Sequence, residues 1–418
     1  MSIGYACKAV GVLNTDMKSC TLKNAKDERL IELIAHNIEA LNNIIDYNIE
    51  NNIMLFRISS DLVPFGSSEV NKVKWWEVFS EELRLIGEKI KAVNMRVSVH
   101  PGQYTVLNST NEEVVKRAVD DLVYHTRILD SLGLSKEHKL ILHIGGGYDN
   151  KKISAKRFID NYELLDENIK NRLVIENDDK IYNIEEVIEI GTKLSIPVIF
   201  DNLHNEINPS PDKPNESFWI EQCKATWKKE DGNQKIHYSI QAENKKRGSH
   251  SDTISIDKFM AFYDMLNRQD IDIMLEVKDK NLSCVKCINC TTPDLKINTL
   301  EKEWSRYKYN ILEHSHISYL KIRELLKNKQ DISPVLFYNL LENGLNSQCN
   351  EGSRLNAALH VWGYFKDKAE EKEKSGFFKY LEKYKLHEAE INKVKSYLKK
   401  MAEKYDEKYL LNSYYFIL

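Results

Sequence analysis

The sequence predicts an α/β fold, a TIM (β/α)8 barrel followed by a smaller all-α domain. Strand-length apolar runs alternate with longer amphipathic segments over residues 3–279. Several runs are continuously apolar, as expected for parallel strands that are covered on both faces. Eight such strand–helix units within this length match the roughly 250 residues that a TIM barrel typically needs. After Lys280 the strand-like runs stop and only helical patterns follow.

The predicted strands are short apolar segments with the length and composition of buried strands. They are residues 3–10, 53–60, 95–100, 139–146, 172–177, 196–202, 235–241 and 272–279. A doubly wound open sheet is the alternative architecture for this alternation. No glycine-rich phosphate-binding motif follows the first run, which favours the barrel.

The predicted helices of the barrel have apolar residues at a spacing of three and four. In residues 27–47, for example, Leu30, Leu33, Ile34 and Ile38 fall on one helical face. The predicted helices are residues 27–47, 74–93, 112–132, 155–168, 184–194, 218–229 and 256–266. We therefore predict a barrel domain over residues 1–282, a cysteine-rich junction over 283–299 and a helical domain over 300–418.

The composition is that of a soluble globular protein. Of the 418 residues, 42% are hydrophobic and 29% are charged, and the formal net charge is −3. This charge indicates neither a membrane nor a nucleic-acid partner, so any site for a polyanion must be a local patch. The N-terminus lacks the basic segment of a signal peptide, and the cysteine count of seven is odd. We therefore expect a reducing, cytoplasmic location.

Imidazole and carboxylate side chains stand at the ends of six consecutive predicted strands. They are His100, His143, Glu176, Asp201, His237 and Glu276. His204 follows Asp201 by three residues, and His250 lies in the loop after the seventh strand. Because the active site of a TIM barrel lies at the C-terminal ends of its strands, these groups should converge.

Each of these residues also has an ordinary structural interpretation. A histidine at a strand end usually makes a hydrogen bond, a glutamate usually joins a salt bridge, and Asp201 could cap a helix. Together, however, closely packed carboxylates repel one another unless cations neutralise them. Mixed nitrogen and oxygen ligands suit Mn²⁺, Zn²⁺ or another divalent ion, and the absence of thiolates argues against a structural zinc.

Glu176 lies on a middle strand of the predicted ligand arc, so it is the candidate bridge between two ions. We expect His100 and His143 to complete the ligand set of the first ion. Two neighbouring divalent ions are the usual apparatus for cleaving phosphodiester bonds. This part of the site therefore predicts phosphoryl chemistry.

The remaining candidate ligands are assigned to further ions. We expect Asp201, His237 and Glu276 to complete the ligand set of the second ion. His204 and His250 could hold a third. The sequence thus predicts a centre of two or three metal ions.

Seven motifs follow one another along the barrel part of the chain. They are FRISSDLVPFGS (56–67), VHPGQY (99–104), LILHIGG (140–146), LVIEND (173–178), FDNLHN (200–205), KIHYS (235–239) and MLEVKDK (274–280). Together they resemble the UV damage endonucleases, metal-dependent repair enzymes related in architecture to the endonuclease IV type of abasic-site nuclease. The resemblance implies manganese-dependent incision of damaged double-stranded DNA immediately 5′ of a UV photoproduct, leaving 3′-hydroxyl and 5′-phosphate ends.

The resemblance also implies roles for individual residues. The family's metal ligands correspond to His100, His143, Glu176, Asp201, His204, His237, His250 and Glu276. Lys235 matches a lysine that is carboxylated beside the metals in a family member. We assign Glu176, Lys235 and His237 to the catalytic group.

Three residues match positions that contact or lie near the lesion in the family. Gln103 and Tyr104 match a pair that is inserted into the duplex, and Tyr5 matches a tyrosine near the lesion. A packed rim aromatic is the alternative for Tyr104. The chain departs from many relatives at Ser68, where they carry a histidine, and at Ala9, where some carry an asparagine.

A basic loop, ENKKRGSHSD (243–252), precedes and includes His250. Lys245, Lys246 and Arg247 would contact DNA phosphates at the mouth of the site. A solvated basic turn is the alternative interpretation. Proximity to the predicted metals favours DNA binding.

Cys284, Cys287 and Cys290 have C-x₂-C-x₂-C spacing, which begins like a ferredoxin motif. The expected fourth cysteine before a proline is absent, although Cys349 could replace it. A second metal or cluster site and reduced structural thiols both remain open. The helical tail is similar to the YbgA-like domain, and it is a candidate for docking DNA or a protein partner.

The leading hypothesis is therefore a metal-dependent endodeoxyribonuclease acting on UV-damaged DNA. The alternatives are an abasic-site endonuclease, a metal-dependent sugar isomerase on the same barrel, and a non-catalytic protein that binds damaged DNA. The basic loop and the inserted pair favour DNA over a free sugar. The complete ligand set favours catalysis over binding alone.

Overall fold

The barrel is closed by eight parallel strands that follow one another in chain order. The computed structural model describes residues 1–148, 150–212, 214–329 and 333–418. The strands are β1 Ile3–Ala6, β2 Leu55–Ile58, β3 Arg96–Val99, β4 Lys139–His143, β5 Leu173–Glu176, β6 Val198–Asp201, β7 Gln234–Tyr238 and β8 Ile271–Leu275. β1 pairs in parallel with both β2 and β8. The predicted TIM barrel is confirmed.

The helices of the barrel part alternate with these strands. They are α1 Asp27–Glu50, α2 Trp75–Val78, α3 Ser80–Ala92, α4 Glu112–Ser131, α5 Lys151–Glu163, α6 Glu167–Lys170, α7 Ile184–Leu194, α8 Asn202–Ile207, α9 Glu216–Lys224, α10 Ile256–Leu266 and α11 Asn281–Thr291. Two predicted helices are each divided in two: residues 74–93 form α2 and α3, and residues 155–168 fall in α5 and α6. The predicted cysteine-rich junction, residues 283–299, contains most of α11.

The register of the strands sets the height of the candidate ligands. His143 pairs with Glu176 across β4 and β5, and Asp201 pairs with His237 across β6 and β7. Parallel pairing therefore brings these four side chains to one end of the barrel. The predicted strand runs extend beyond the strands themselves. Ile144 is buried beyond the end of β4, and Gly145 follows with a φ of +107°, outside the sheet.

The other end of the barrel interior is filled with paired charges. Arg96 donates to Asp272 at 3.0 Å, and Lys139 donates to Asp231 at 2.5 Å. Between these pairs and the ligands lies an apolar layer that includes Ile141, Val174 and Ile199. Since buried charges need partners, these ion pairs make the charged floor compatible with a folded core.

The described residues form two compact units. The first contains Met1–Ile254 and Ala261–Ile288, and the second contains Ser255–Met260 and Asn289–Leu418. The tail helices are α12 Ile297–His314, α13 His316–Leu325, α14 Pro334–Leu345, α15 Glu351–Trp362, α16 Glu371–Lys385, α17 Ile391–Lys404 and α18 Lys408–Leu411. Short 3-10 turns cover Leu22–Asn24, Ser60–Leu62, Lys229–Asp231 and Tyr414–Phe416.

The second unit is helical and has its own aromatic core. Trp362 stacks on Phe377 with ring centroids 4.3 Å apart, and both residues pack with Val394 and Leu398 of α17. This agrees with the helical tail expected from the sequence. Within the described residues, none of the helices combines the length and apolarity needed to span a bilayer.

Candidate metal centre

The residues predicted at the strand ends converge into three groups at one end of the barrel. Within each group, one nitrogen or carboxylate oxygen per residue lies within 4.8 Å of the others. The groups are His100, His143 and Glu176; Glu176, Asp201 and His204; and Glu176, His237 and Glu276. His250 lies beside the third group, with Nε2 3.8 Å from Oε2 of Glu276.

Glu176 is the residue common to all three groups, and its two oxygens face different histidines. Oε2 lies 3.3 Å from Nε2 of His100 and 3.8 Å from Nε2 of His143. Oε1 lies 2.9 Å from Nδ1 of His237 and 3.6 Å from Nδ1 of His204. Burial would raise the pKa of Glu176, but the imidazoles of His237 and His143 outweigh it and lower that pKa well below its usual value.

Backbone carbonyls orient two of the imidazoles. Nδ1 of His100 donates to the carbonyl of Pro101 at 3.0 Å, and Nδ1 of His204 donates to the carbonyl of Asn177 at 2.9 Å. A carbonyl oxygen can only accept, so Nδ1 carries a hydrogen in both rings, which leaves Nε2 as the nitrogen that could bind an ion. Histidines that bind metals usually have their second nitrogen held in this way.

Asp201 is both a helix cap and a candidate ligand. Its Oδ1 accepts a hydrogen bond from the backbone N–H of His204 at 2.7 Å and caps α8. Its Oδ2 is buried and has no hydrogen-bond partner among the described residues. Burial raises the pKa of Asp201, although the neighbouring His204 opposes the shift. One oxygen therefore meets the capping requirement while the other is available to an ion.

The arrangement around Asp201 differs from the predicted assignment of ions. Because α8 starts immediately after Asp201, the helical turn brings His204 onto the same side, and both group with Glu176. The prediction had placed Asp201 with His237 and Glu276, which form their own group with Glu176. The pairing of His204 with His250 at a third ion stays a prediction.

Asn177 holds Asp201 in place, and the sequence argument did not identify it. Its side-chain Nδ2 donates to the carbonyl of Asp201 at 3.1 Å, and its Oδ1 accepts from the N–H of Asp201 at 2.9 Å. Asn177 thus fixes the backbone of one candidate ligand and, through its own carbonyl, the ring of His204. Its position directly after Glu176 was the available signal.

Arg57 is a second residue that the sequence argument missed. At the end of β2, its Nη1 donates to Oε1 of Glu276 at 2.5 Å. Burial would raise the pKa of Glu276, but Arg57, followed by His237, lowers it strongly. An arginine one residue before the end of a strand, where it faces the barrel interior beside candidate ligands, was the signal for this contact.

Lys235 lies two residues before His237 on β7, so both side chains point to the same face of the sheet. The side chain is fully buried, and Nζ has no hydrogen-bond partner among the described residues. Burial, reinforced by the charge of Arg96, lowers the pKa of Lys235 well below its usual value. Burial therefore favours the neutral form of this amine.

The residues of this centre fit divalent metal ions. Buried carboxylate oxygens without hydrogen-bond partners among the described residues include Glu176 Oε2 and Asp201 Oδ2. Leaving such atoms without partners is costly in a folded protein, so a ligand is the natural complement. The donors are imidazole nitrogens and carboxylate oxygens, a set that suits Mn²⁺ or Zn²⁺.

The predicted inserted pair is exposed. Gln103 and Tyr104 lie at the tip of a turn that closes with a bond from the Thr105 N–H to the Gly102 carbonyl at 2.9 Å. Tyr104 is 72% exposed. Single exposed apolar residues are ordinary on protein surfaces, so insertion of Gln103 and Tyr104 into a duplex stays a prediction.

The basic loop is exposed but partly neutralised. Lys245 contacts Asp252 at 3.1 Å, and Lys278 contacts the same carboxylate at 2.8 Å. Arg247 donates to the carbonyl of Glu206 at 3.2 Å, and Lys246 is exposed. Lys246 and Arg247 therefore keep more of their charge available to an external anion than Lys245 does.

The prediction that Tyr5 lies at the lesion site is not supported by its position. Tyr5 is fully buried, its hydroxyl donates to Asn48 of α1 at 2.9 Å, and its ring packs edge-on against Phe56. Side chains alternate along a strand, and the next residue, Ala6, belongs to a cluster with Met274 of β8. Tyr5 consequently points to the helix layer and is closed off from any bound DNA.

The three clustered cysteines lie on α11. Cys284 and Cys287 are fully buried, and the Cys284 thiol donates to the carbonyl of Ile3 at 3.6 Å. Burial raises the pKa of Cys284 well above its usual value, which disfavours the thiolate needed to bind a metal. A metal or cluster at Cys284, Cys287 and Cys290 stays a prediction.

Comparisons with known proteins agree with the fold and show the family. A family model described as UV-endonuclease UvdE matches residues 1–307, and a model for a protein of unknown function (DUF1722) matches residues 308–418. The UV DNA damage endonuclease of Clostridium perfringens (strain 13 / Type A) is 38% identical over 409 residues, covering 97% of this chain and 96% of the relative.

Two further comparisons concern the barrel part of the chain. The UV DNA damage endonuclease of Bacillus cereus (strain G9842) is 32% identical over 269 residues, which cover 64% of this chain and 84% of the relative. The crystal structure of SacUVDE superposes with a TM-score of 0.65 at 38% identity, covering 69% of this chain and 96% of that one. The chain therefore belongs to the UV-endonuclease UvdE family.

Proposed function

We propose that this protein is a DNA repair endonuclease that cuts the phosphodiester bond immediately 5′ of a UV photoproduct. The observation that carries the proposal is the buried Glu176 carboxylate, shared by three groups of candidate metal ligands. Membership of the UV-endonuclease family supplies the substrate class. The products would be 3′-hydroxyl and 5′-phosphate ends, because water adds to phosphorus while the bond from phosphorus to the 3′ oxygen breaks.

The centre would hold two or three Mn²⁺ ions, with Zn²⁺ or another divalent ion as the alternative. Glu176 would be the ligand that the ions share, and His100 and His143 would bind one of those ions. Asp201 with His204, and His237 with Glu276 and His250, would complete the remaining positions. When bound, such ions activate the attacking water and stabilise the leaving oxygen.

The protein's own groups hold this centre ready. Asn177 and Pro101 fix the rings of His204 and His100 through their carbonyls. Arg57 donates a hydrogen bond to one oxygen of Glu276 and so orients that carboxylate. These contacts lower the cost of organising the ligands when ions and DNA arrive.

Lys235 is the third residue of the proposed catalytic group, with Glu176 and His237. We propose that its neutral amine attacks CO₂, forming an N–C bond and releasing a proton, to give a carbamate. The new anion would lie near Arg96 and Arg57, whose charges already depress the pKa of Lys235. The carboxylated side chain would add an oxygen anion next to His237.

DNA would be held by groups around the mouth of the barrel. Lys246 and Arg247 would contact phosphates. Lys245 would contribute less, because it forms an ion pair with Asp252. Gln103 and Tyr104 would insert where a photoproduct has weakened base stacking. The helical tail, residues 300–418, stays a candidate for docking DNA or a protein partner.

The direct test is incision of a duplex that carries one defined photoproduct. With Mn²⁺ we expect a single nick immediately 5′ of the lesion, and chelation by EDTA should abolish it because the ligands alone cannot activate water. Gel mapping of the labelled strand measures the position and the end groups. Absence of a nick from metal-loaded protein would rule out the proposed activity, and a nick only at abasic sites would favour the alternative endonuclease.

Glu176→Gln should lower kcat by at least about 10²–10³-fold, the scale for loss of one key electrostatic group. The substitution keeps the shape but removes the charge that the three ligand groups share. Affinity for the lesion duplex should hold, and the content of bound Mn²⁺ should fall. Stopped-time incision assays and metal analysis measure both effects.

The matched control for this variant is Glu221→Gln, an equally small change at an exposed carboxylate that pairs with Arg268. It should leave both the rate and the metal content at the wild-type level. Wild-type incision by Glu176→Gln would remove Glu176 from the catalytic group.

Carboxylation of Lys235 should make activity depend on CO₂. Protein prepared in CO₂-free buffer should lose most of its incision rate and regain it with bicarbonate, because the burial that lowers the pKa of Lys235 favours the neutral, reactive amine. Isotopically labelled bicarbonate should give a carbamate carbon signal by NMR. Full activity without CO₂, together with no carbamate signal, would contradict the modification.

A further inference from the structure

The turn that carries Gln103 and Tyr104 is fixed to the barrel by one buried hydrogen bond. Thr105 is 3% exposed, and its Oγ1 donates to Oδ2 of Asp121 on α4 at 2.6 Å. Asp121 is itself 5% exposed. Short bonds from a hydroxyl to a carboxylate are among the strong hydrogen bonds of proteins. The residue next to Tyr104 is thus tied directly to a helix.

The same turn of α4 also fixes the loop after β2. The hydroxyl of Tyr124 donates to the carbonyl of Ser60 at 2.9 Å and accepts from the N–H of Val63 at 3.1 Å. A side chain at Gly66 would collide with the Tyr124 ring, since its Cβ would lie 2.2 Å from that ring. One turn of helix therefore sets the positions of two neighbouring loops on the ligand side of the barrel.

The far end of the Tyr104 loop is fixed by a different helix. Asn161 of α5 donates to the carbonyl of Leu107 at 2.7 Å, and Arg157 donates to the carbonyl of Asn108 at 3.0 Å. The loop is consequently held on both sides of its exposed tip. What stays exposed is the pair Gln103 and Tyr104.

The ring of Tyr104 has a defined resting place over Gly102. A Cβ at residue 102 would lie 2.5 Å from the Tyr104 ring, so an alanine there would displace the ring from this position. The position of the Tyr104 ring therefore depends on the glycine beneath it, and the backbone next to Tyr104 is held by the buried bond of Thr105.

We propose that Thr105 and Asp121 are positioning residues for recognition of the lesion, with Gly102 as the seat of the Tyr104 ring. The inference rests on the proposed function, in which Gln103 and Tyr104 enter the duplex. A side chain that separates stacked bases must resist being pushed back, because unstacking costs a few kcal/mol per step. The Thr105–Asp121 bond, named here the latch, transmits that resistance from α4 to Tyr104.

The test is Thr105→Val, which keeps the volume of the side chain and removes the hydroxyl. We expect kcat/KM on a photoproduct duplex to fall about tenfold, a change equivalent to about 1.4 kcal/mol. We also expect a loss of the fluorescence rise from 2-aminopurine placed beside the lesion, because the tyrosine no longer holds the bases apart. Bound Mn²⁺ should not change, since the latch touches none of the candidate ligands.

Three further variants separate positioning from general damage to the fold. Thr105→Ser restores the hydroxyl and should recover both signals. Thr126→Val removes another buried hydroxyl of α4, one without a hydrogen-bond partner among the described residues, and should behave like wild type. Gly102→Ala should lose the fluorescence signal although the latch remains intact, because the ring of Tyr104 loses its seat.

The outcomes distinguish the latch from the proposed function itself. Wild-type values of kcat/KM and fluorescence in Thr105→Val, with an active parent protein, overturn the latch and leave the endonuclease proposal standing. Equal losses in Thr126→Val also overturn it, because the effect would then belong to the helix in general. A parent protein that neither incises nor unstacks the lesion duplex overturns the proposed function and the latch together.

Discussion

The constraint on which this structure depends is a single buried carboxylate that four imidazoles approach. A carboxylate at this depth is expensive to bury unless cations or hydrogen-bond donors compensate it. Glu176 meets that requirement through His100 and His143 on one oxygen and His237 and His204 on the other. The barrel supplies these groups from separate strands and from the residues that directly follow them, and strand register sets the height of those on the strands. Metal binding would complete an arrangement that the fold already organises.

The candidate ligands could be predicted from the sequence because a parallel barrel has a simple rule: the ends of its strands meet. An apolar run followed by a histidine or carboxylate was enough to select Glu176 and His143. The rule does not predict on which face of its strand a side chain lies, or which residue of the neighbouring strand it meets. Tyr5 resembled a lesion contact, yet it faces outward because it alternates with Ala6 on β1. Asp201 was expected to be a cap or a ligand, and its two oxygens allow it to be both.

Contacts between distant strands were out of reach of sequence patterns for the same reason. Arg57 and Glu276 are 219 residues apart, and only closure of the barrel brings them to 2.5 Å. The two hydrogen bonds between the side chain of Asn177 and the backbone of Asp201 likewise require the pairing of adjacent strand ends. Lys235 was selected by family resemblance. Its burial, with no hydrogen-bond partner for Nζ among the described residues, gives that assignment a physical reason, since desolvation favours the neutral amine.

The central claim is that Glu176 is shared by the metal ions of one centre. Its most direct measurement is anomalous diffraction at the manganese absorption edge from crystals of the full chain grown with Mn²⁺. The account predicts at least two anomalous peaks, each within coordination distance of a Glu176 oxygen and of at least one histidine. A single peak, or peaks that leave Glu176 uncoordinated, would contradict it.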